Sequence, residues 1–204
     1  MNTNIIRGIG RLTELRKLCL HGESVKDMDS EWLTIILESF RDLEALSLGS
    51  VPKLTEADIG RIRQLVKLKS LNLGYSPQLT ERSLERGIGS PNMELLTLRF
   101  GGSLTDAGLA LIAANHHRLK RFVLVRCEKV TPAGLLTLLE SETSLQKLFL
   151  GEVPVEDDFL DALAELCPRL RWLGIFPSRL IISDSALERF TKRRPTVNVQ
   201  SEVF

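Results

Sequence analysis

Cys19 and His21 lie two residues apart, so that on a strand a thiol and an imidazole would share one face. Such a pair has the makings of an activated nucleophile, but nucleophilic catalysis also needs a group that orients the base, and the flanking sequence supplies none. His116 and His117 are adjacent at a helix end, where successive side chains diverge, so a shared metal is not expected and a solvated or helix-capping role is. The acids Glu156, Asp157 and Asp158 lack the alternating oxygen ligands and glycine turn of a calcium loop; at a helix start their charge suits the dipole. Gly101 and Gly102 lack the lysine and hydroxyl of a phosphate loop. No catalytic residue, metal ligand or cofactor is assigned, and the chain is not read as an enzyme.

The residues with the chemistry to hold a partner are Arg99, Arg121, Val123, Lys147, Phe149, Trp172 and Phe176. Arginine and aromatic side chains dominate binding hot spots because they combine large contact area with directed hydrogen bonds and cation–π contacts. These seven become one surface only if a repeating element brings them together, and such an element exists. The frame L-x-x-L-x-L returns about every 25 residues, at Leu15/Leu18/Leu20, Leu43/Leu46/Leu48, Leu68/Leu71/Leu73, Met93/Leu96/Leu98, Leu119/Phe122/Leu124, Leu145/Leu148/Leu150 and Leu170/Leu173/Ile175.

The last two apolar residues of each frame sit two apart, which is strand periodicity, and a stretch with i, i+3, i+4 apolar spacing follows. Between strand and helix stand Leu54-Thr55-Glu56, Leu79-Thr80-Glu81, Leu104-Thr105-Asp106, Val130-Thr131-Pro132 and Ile182-Ser183-Asp184. The hydroxyl can accept from orphan N–H groups of the first turn, and the acid or proline after it suits a helix start. One such unit cannot cover its own apolar face, so the units must stack, with Leu109, Ile112 and Ala113, or Leu135, Leu138 and Leu139, turned inward. The fold predicted is a single α/β solenoid over residues 1–204, about seven strand-helix units with a parallel concave sheet and convex helices.

The residues flanking the buried pair then point off the sheet in three columns. One runs Lys17, Ala45, Ser70, Leu95, Arg121, Lys147, Trp172; the next Cys19, Ser47, Asn72, Thr97, Val123, Phe149, Gly174; the third His21, Gly49, Gly74, Arg99, Val125, Gly151, Phe176. Their N-terminal half is small and polar, and their C-terminal half holds the seven candidates. The competing arrangement buries the aromatics under residues 177–182 and leaves the basic residues merely solvated. The glycines either relax the turn after each strand or let a partner approach the backbone.

The segment from Leu119 to Leu135 reads L-x-x-F-x-L-x-x-C-x-x-V-T-x-x-G-L, and Ala162 to Leu170 reads A-L-A-E-L-C-P-R-L. Together they resemble the cysteine-containing leucine-rich repeats of F-box proteins. The resemblance implies a substrate-receptor arm of a cullin-type ubiquitin ligase that presents its concave face to a protein target; a stand-alone adaptor or regulatory scaffold is the alternative. The position of Cys127 holds Glu23, Val51, Ser76, Gly101, Val153 and Ser178 in the other units. Residues before Leu15 are too few for an F-box, so a ligase adaptor would be reached through an N-terminal segment outside this sequence.

Ile5, Ile6, Ile9 and Leu12 have helical apolar spacing, so residues 1–14 are either a short cap or the tail of a preceding unit, the second being favoured. At the other end Pro195 stops a helix, and Thr196 to Val199 could add a last strand within the C-terminal end, 195–204. With 27 basic and 26 acidic residues the net charge is +1, so no global field draws the chain to nucleic acid or anionic membrane, and neither partner is expected. The run Lys192-Arg193-Arg194 suits a helix C-terminus. No stretch approaches the roughly 18 apolar residues of a membrane span. Cys19, Cys127 and Cys167 are an odd, widely spaced set, which suits a reducing cytoplasmic or nuclear compartment; the last two are expected to pack rather than react.

Overall fold

A computed structural model describes residues 12–21, 28–50, 53–75, 80–87, 90–99, 103–142, 144–176 and 182–201, together with Gly8. Strands and helices alternate along the chain: β1 (Lys17–Leu20), α1 (Ser30–Ser39), β2 (Ala45–Ser50), α2 (Glu56–Gly60, continued by a 3-10 turn over Arg61–Gln64), β3 (Ser70–Tyr75), α3 (Glu81–Gly87), β4 (Leu95–Arg99), α4 (Asp106–Asn115), β5 (Arg121–Val125), α5 (Pro132–Ser141), β6 (Lys147–Gly151), α6 (Asp157–Leu166), β7 (Trp172–Phe176), α7 (Asp184–Arg193) and β8 (Asn198–Gln200). The eight strands form one parallel sheet in sequence order. The expected solenoid is present, and the last strand joins it at Asn198–Gln200. The residues that would extend the N-terminal apolar helix, Ile5, Ile6 and Ile9, lie outside the described residues, and Leu12 is exposed.

Each frame leucine falls opposite its counterpart. Leu46, Leu71, Leu96, Phe122, Leu148 and Leu173 are successive register partners, as are Leu48, Leu73, Leu98, Leu124, Leu150 and Ile175, and all are buried. Between sheet and helices they meet Leu109, Ile112, Leu135, Leu138, Phe159, Leu163 and Phe190 in one continuous core. Helices about 10 Å across cannot follow strands about 4.8 Å apart without bending the stack, which puts the sheet on the inner, concave side.

The five hydroxyl residues act as the sequence predicts. Thr55, Thr105, Thr131 and Ser183 each accept from a first-turn N–H, and Thr80 Oγ1 accepts from Ser83 N at 3.3 Å. The acid after the cap does more than meet the dipole. Asp106 accepts from Thr131 N at 2.8 Å and Thr131 Oγ1 at 2.6 Å, and Asp157 takes the same pair from Ser183, at 2.8 and 2.6 Å. One unit's acid therefore locks the next unit's cap. For Asp157 those two bonds hold its carboxyl below the usual range. A Cβ on Gly134 would run into the Asp106 carboxylate, so the lock requires that glycine.

Candidate functional site on the concave sheet

Strand pairing delivers the predicted columns in the C-terminal half. Arg121, Lys147 and Trp172 are register partners, as are Val123, Phe149 and Gly174, and Arg99, Val125, Gly151 and Phe176. Phe149 sits at the centre. Its ring stacks on Trp172, with centroids 6.0 Å apart and 8° between planes, and tilts onto Phe176 at 5.2 Å and 31°. All three rings are partly exposed; residues 177–181, which the competing arrangement would lay over them, are outside the described residues.

Two glycines make room for this platform. A Cβ on Gly174 would come within 2.5 Å of Trp172 Cη2 and 2.8 Å of Phe149 Cδ2, and one on Gly151 within 2.9 Å of Phe149 Cε1. The space left by these glycines is thus filled by the protein's own aromatic rings, and neither a relaxed turn nor a partner's backbone accounts for it. Gly49 is likewise covered by His21, and Gly74 lies against the Gly49 carbonyl. Gly101 and Gly102 are outside the described residues.

Two expectations need correction. Val123 is 4% exposed and so supports the surface without presenting itself. A short β-branched side chain between Arg121 on its own strand and Phe149 on the next has no reach to solvent. The columns also slip once: the register shifts between Leu73 and Tyr75, so Arg99 pairs with Tyr75 where the frame alone would place Gly74. One further residue of the predicted columns, outside the seven candidates, is presented to solvent. Leu95, in the column of Arg121, is 37% exposed because its neighbours on the N-terminal side, Ser70 and Ala45, are too small to cover it.

The charges on this face differ from those elsewhere. Just before the strands an alternating row pairs Arg16 with Glu44, Lys69 with Glu44 and Lys120 with Glu94; after them Arg126 meets Glu152, and on the helices Arg189 and Arg193 meet Asp161. Arg99, Arg121 and Lys147 make no ion pair among the described residues. Arg193 also meets Glu165, and Lys192 meets Glu188, so the terminal basic run is engaged on its own helices.

At the N-terminal end, Cys19 Sγ lies 2.9 Å from His21 Nε2, which is also 3.2 Å from Ser47 Oγ; Asn72 Nδ2 donates to that hydroxyl at 2.9 Å. The thiol and imidazole do meet, but Nε2 is shared between thiol and hydroxyl, and no carboxylate orients the ring among the described residues. Among the described residues that geometry is a polar strand-face network without the orienting member of a catalytic set. No group of His, Cys, Asp and Glu among the described residues could hold a metal ion.

A further set of polar residues is buried where the helices end. Ser90, His116, Glu142 and Cys167 occupy equivalent places in successive units, followed by Arg194. His116 is therefore buried rather than solvated, whereas His117 is exposed. Ser90 Oγ donates to Leu68 O at 2.6 Å, Leu119 N donates to Glu142 Oε2 at 3.1 Å, and the Arg194 guanidinium takes the carbonyls of Ala164, Cys167, Pro168 and Leu170. Burial pushes the Glu142 carboxyl up to about 7, against the Leu119 N–H that favours the carboxylate. Burial likewise pushes the Cys167 thiol up to about 12, which makes it inert as a nucleophile. Cys127, also buried, packs in the turn as expected. No residue type recurs at the helix end across the units, so the sequence carries no signal for this column before the units stack.

No protein-family model matches the sequence. Among solved structures the chain is similar to the crystal structure of the Rad7 and Elc1 complex in yeast, at 23% identity and a TM-score of 0.72 over 87% of this chain and 45% of that one. It is also similar to the TLR13–ssRNA13 complex, at 15% identity and a TM-score of 0.56 over 80% of this chain and 23% of that one. A leucine-rich-repeat protein of Leptospira interrogans aligns at 18% identity over 95% of this chain and 56% of that one, with a TM-score of 0.48. The eight-stranded parallel sheet in sequence order, with its frame leucines in register, defines the fold as a leucine-rich-repeat solenoid, and the first two likenesses agree with that fold. The chain spans about half or less of the first two chains it matches.

Proposed function

We propose that the chain is a protein-binding repeat arm rather than an enzyme, and specifically the substrate-recognition arm of an F-box-type ubiquitin ligase receptor. The observation that carries the binding reading is the stacked and partly exposed Phe149–Trp172–Phe176 platform, rimmed by Arg99, Arg121 and Lys147, on the concave sheet face. Such a surface offers desolvatable apolar area with charged groups at its edge, the arrangement of a binding hot spot. The ligase reading is motivated by the resemblance of the repeats around Cys127 and Cys167 to the cysteine-containing type; both cysteines are buried. The free cysteines accord with a reducing cytoplasmic or nuclear setting.

Affinity capture with the full-length protein tests both levels. The ligase reading expects cullin and adaptor subunits to co-precipitate with a target whose ubiquitination falls when the protein is depleted. A stable target recovered with no ligase subunit would leave the stand-alone adaptor, and a target held equally by wild type and Trp172→Ala would remove the concave site.

A further inference from the structure

We propose that the segment held on this face is an acidic peptide, one that sets an apolar side chain against Phe149, Trp172 and Phe176 and places carboxylates on Arg121 and Lys147. The proposal rests on the reading of the chain as a protein-binding arm and names the chemistry of what it binds.

The distribution of charge carries it. From Lys17 to Gln200 the strands contain Lys17, Arg99, Arg121 and Lys147 but no aspartate or glutamate, in a chain with 26 acids against 27 bases. Outside the sheet the two signs are interleaved, and the rows before the strands, after them and along the helices neutralise themselves in ion pairs. Among the described residues the concave face does not.

The basic surface also continues beyond the platform. The alternating row before the strands loses its acid at Gln146, and there a recess of about 580 Å³ is lined by Gln146, Pro168, Arg169, Leu170, Arg171 and Thr196, two arginines with no carboxylate. Gln146 and Arg171 immediately precede Lys147 and Trp172, so a chain crossing the platform can reach this recess. Opposite charge on this exposed rim favours an acidic partner over a neutral or basic one. That difference chiefly sorts partners by sign and speeds encounter.

Single-stranded RNA would also bring negative charge, but it binds by laying bases on open ring faces. Here Phe149 already stacks on Trp172 and tilts onto Phe176, so the ring faces turned toward one another are engaged within the platform. An aliphatic or aromatic side chain packing on ring edges suits this geometry better.

The test is to pan a random peptide display library against the full chain and measure the enriched peptides on wild type, Trp172→Ala and the Arg121→Glu/Lys147→Glu double variant. The expected result is a consensus of aspartate and glutamate around an apolar anchor, weakened at least about tenfold by either variant. Replacing the peptide's acids by lysine should restore binding to the double variant, a rescue that an unfolded variant could not show. Enriched peptides that need Trp172 but are neutral or basic would overturn the acidic assignment and leave the binding arm standing. Peptides indifferent to both variants would overturn the arm's concave site as well. Oligouridine binding more tightly than any peptide would overturn the proposal in favour of RNA.

Discussion

Phe149 owes its position to two residues that contribute no side chain. With Gly151 beside it and Gly174 across the strand, its ring can lie low enough to stack on Trp172. A new Cβ at Gly174 would meet the outer edge of the Trp172 indole, which can swing away, and Phe149 Cδ2, which lies near the root of its ring and can give less. Gly174→Ala should therefore cost about 1–3 kcal/mol and disperse the platform. A shift in Trp172 fluorescence together with lost partner capture would show it, with buried Trp32 as the unchanged second emitter; an unaltered spectrum would mean the rings do not rest on that glycine.

Glu142 makes a second prediction at this scale. An acid whose pKa is about 7 when folded and 4.5 otherwise binds its proton more readily in the native state, so its contribution is greatest below pH 4.5 and declines as the pH rises toward 7. At about 1.4 kcal/mol per pKa unit, less what packing relaxation recovers, the loss across that window should be about 1–3 kcal/mol. Asp58 and Asp157 carry lowered values, so what they contribute is lost only as the pH falls below about 3.8, outside the window. Urea melts at both ends of it should show Glu142→Gln gaining stability relative to wild type at neutral pH and not at acidic pH. Equal differences at both ends would contradict the burial account.

At the scale of elements, the solenoid is held by caps that reach across units. Thr131 opens α5 by accepting from Gly134 N, and donates to the Asp106 carboxylate of the unit before. Thr131→Ala removes both interactions and should cost about 1–2 kcal/mol, whereas Thr131→Ser should cost far less. Thermal melts compare them; identical curves for alanine and serine would mean the hydroxyl is idle. These caps were legible in the sequence because a hydroxyl followed by an acid or proline recurs at one place in the period. The helix-end column of Ser90, His116, Glu142 and Cys167 was not, since it obeys no residue-type pattern and its burial exists only once units stack.

For the whole molecule, the leucine frame is the most legible feature, because a strand with one face buried fixes its register wherever the period is kept. What the frame does not encode is local. The slip at Leu73–Tyr75 and the burial of Val123 depend on how a particular neighbour lies. Since each unit touches only its neighbours, damage to a central core position should be felt along the stack. Leu98, fully buried on β4, is such a position, and Leu98→Ala should cost about 2–5 kcal/mol in denaturant melting. Almost no loss would contradict the register that places it inward.

The central claim is that a partner sits on the C-terminal half of the concave sheet. Its most direct measurement is photo-crosslinking from a benzophenone amino acid placed, in separate proteins, at Phe176, at Ser47 on the N-terminal half of the same face, and at Thr137 on the exposed side of α5. The account predicts a partner adduct from position 176 alone. Equal adducts at all three positions, or an adduct only from position 137, would contradict it.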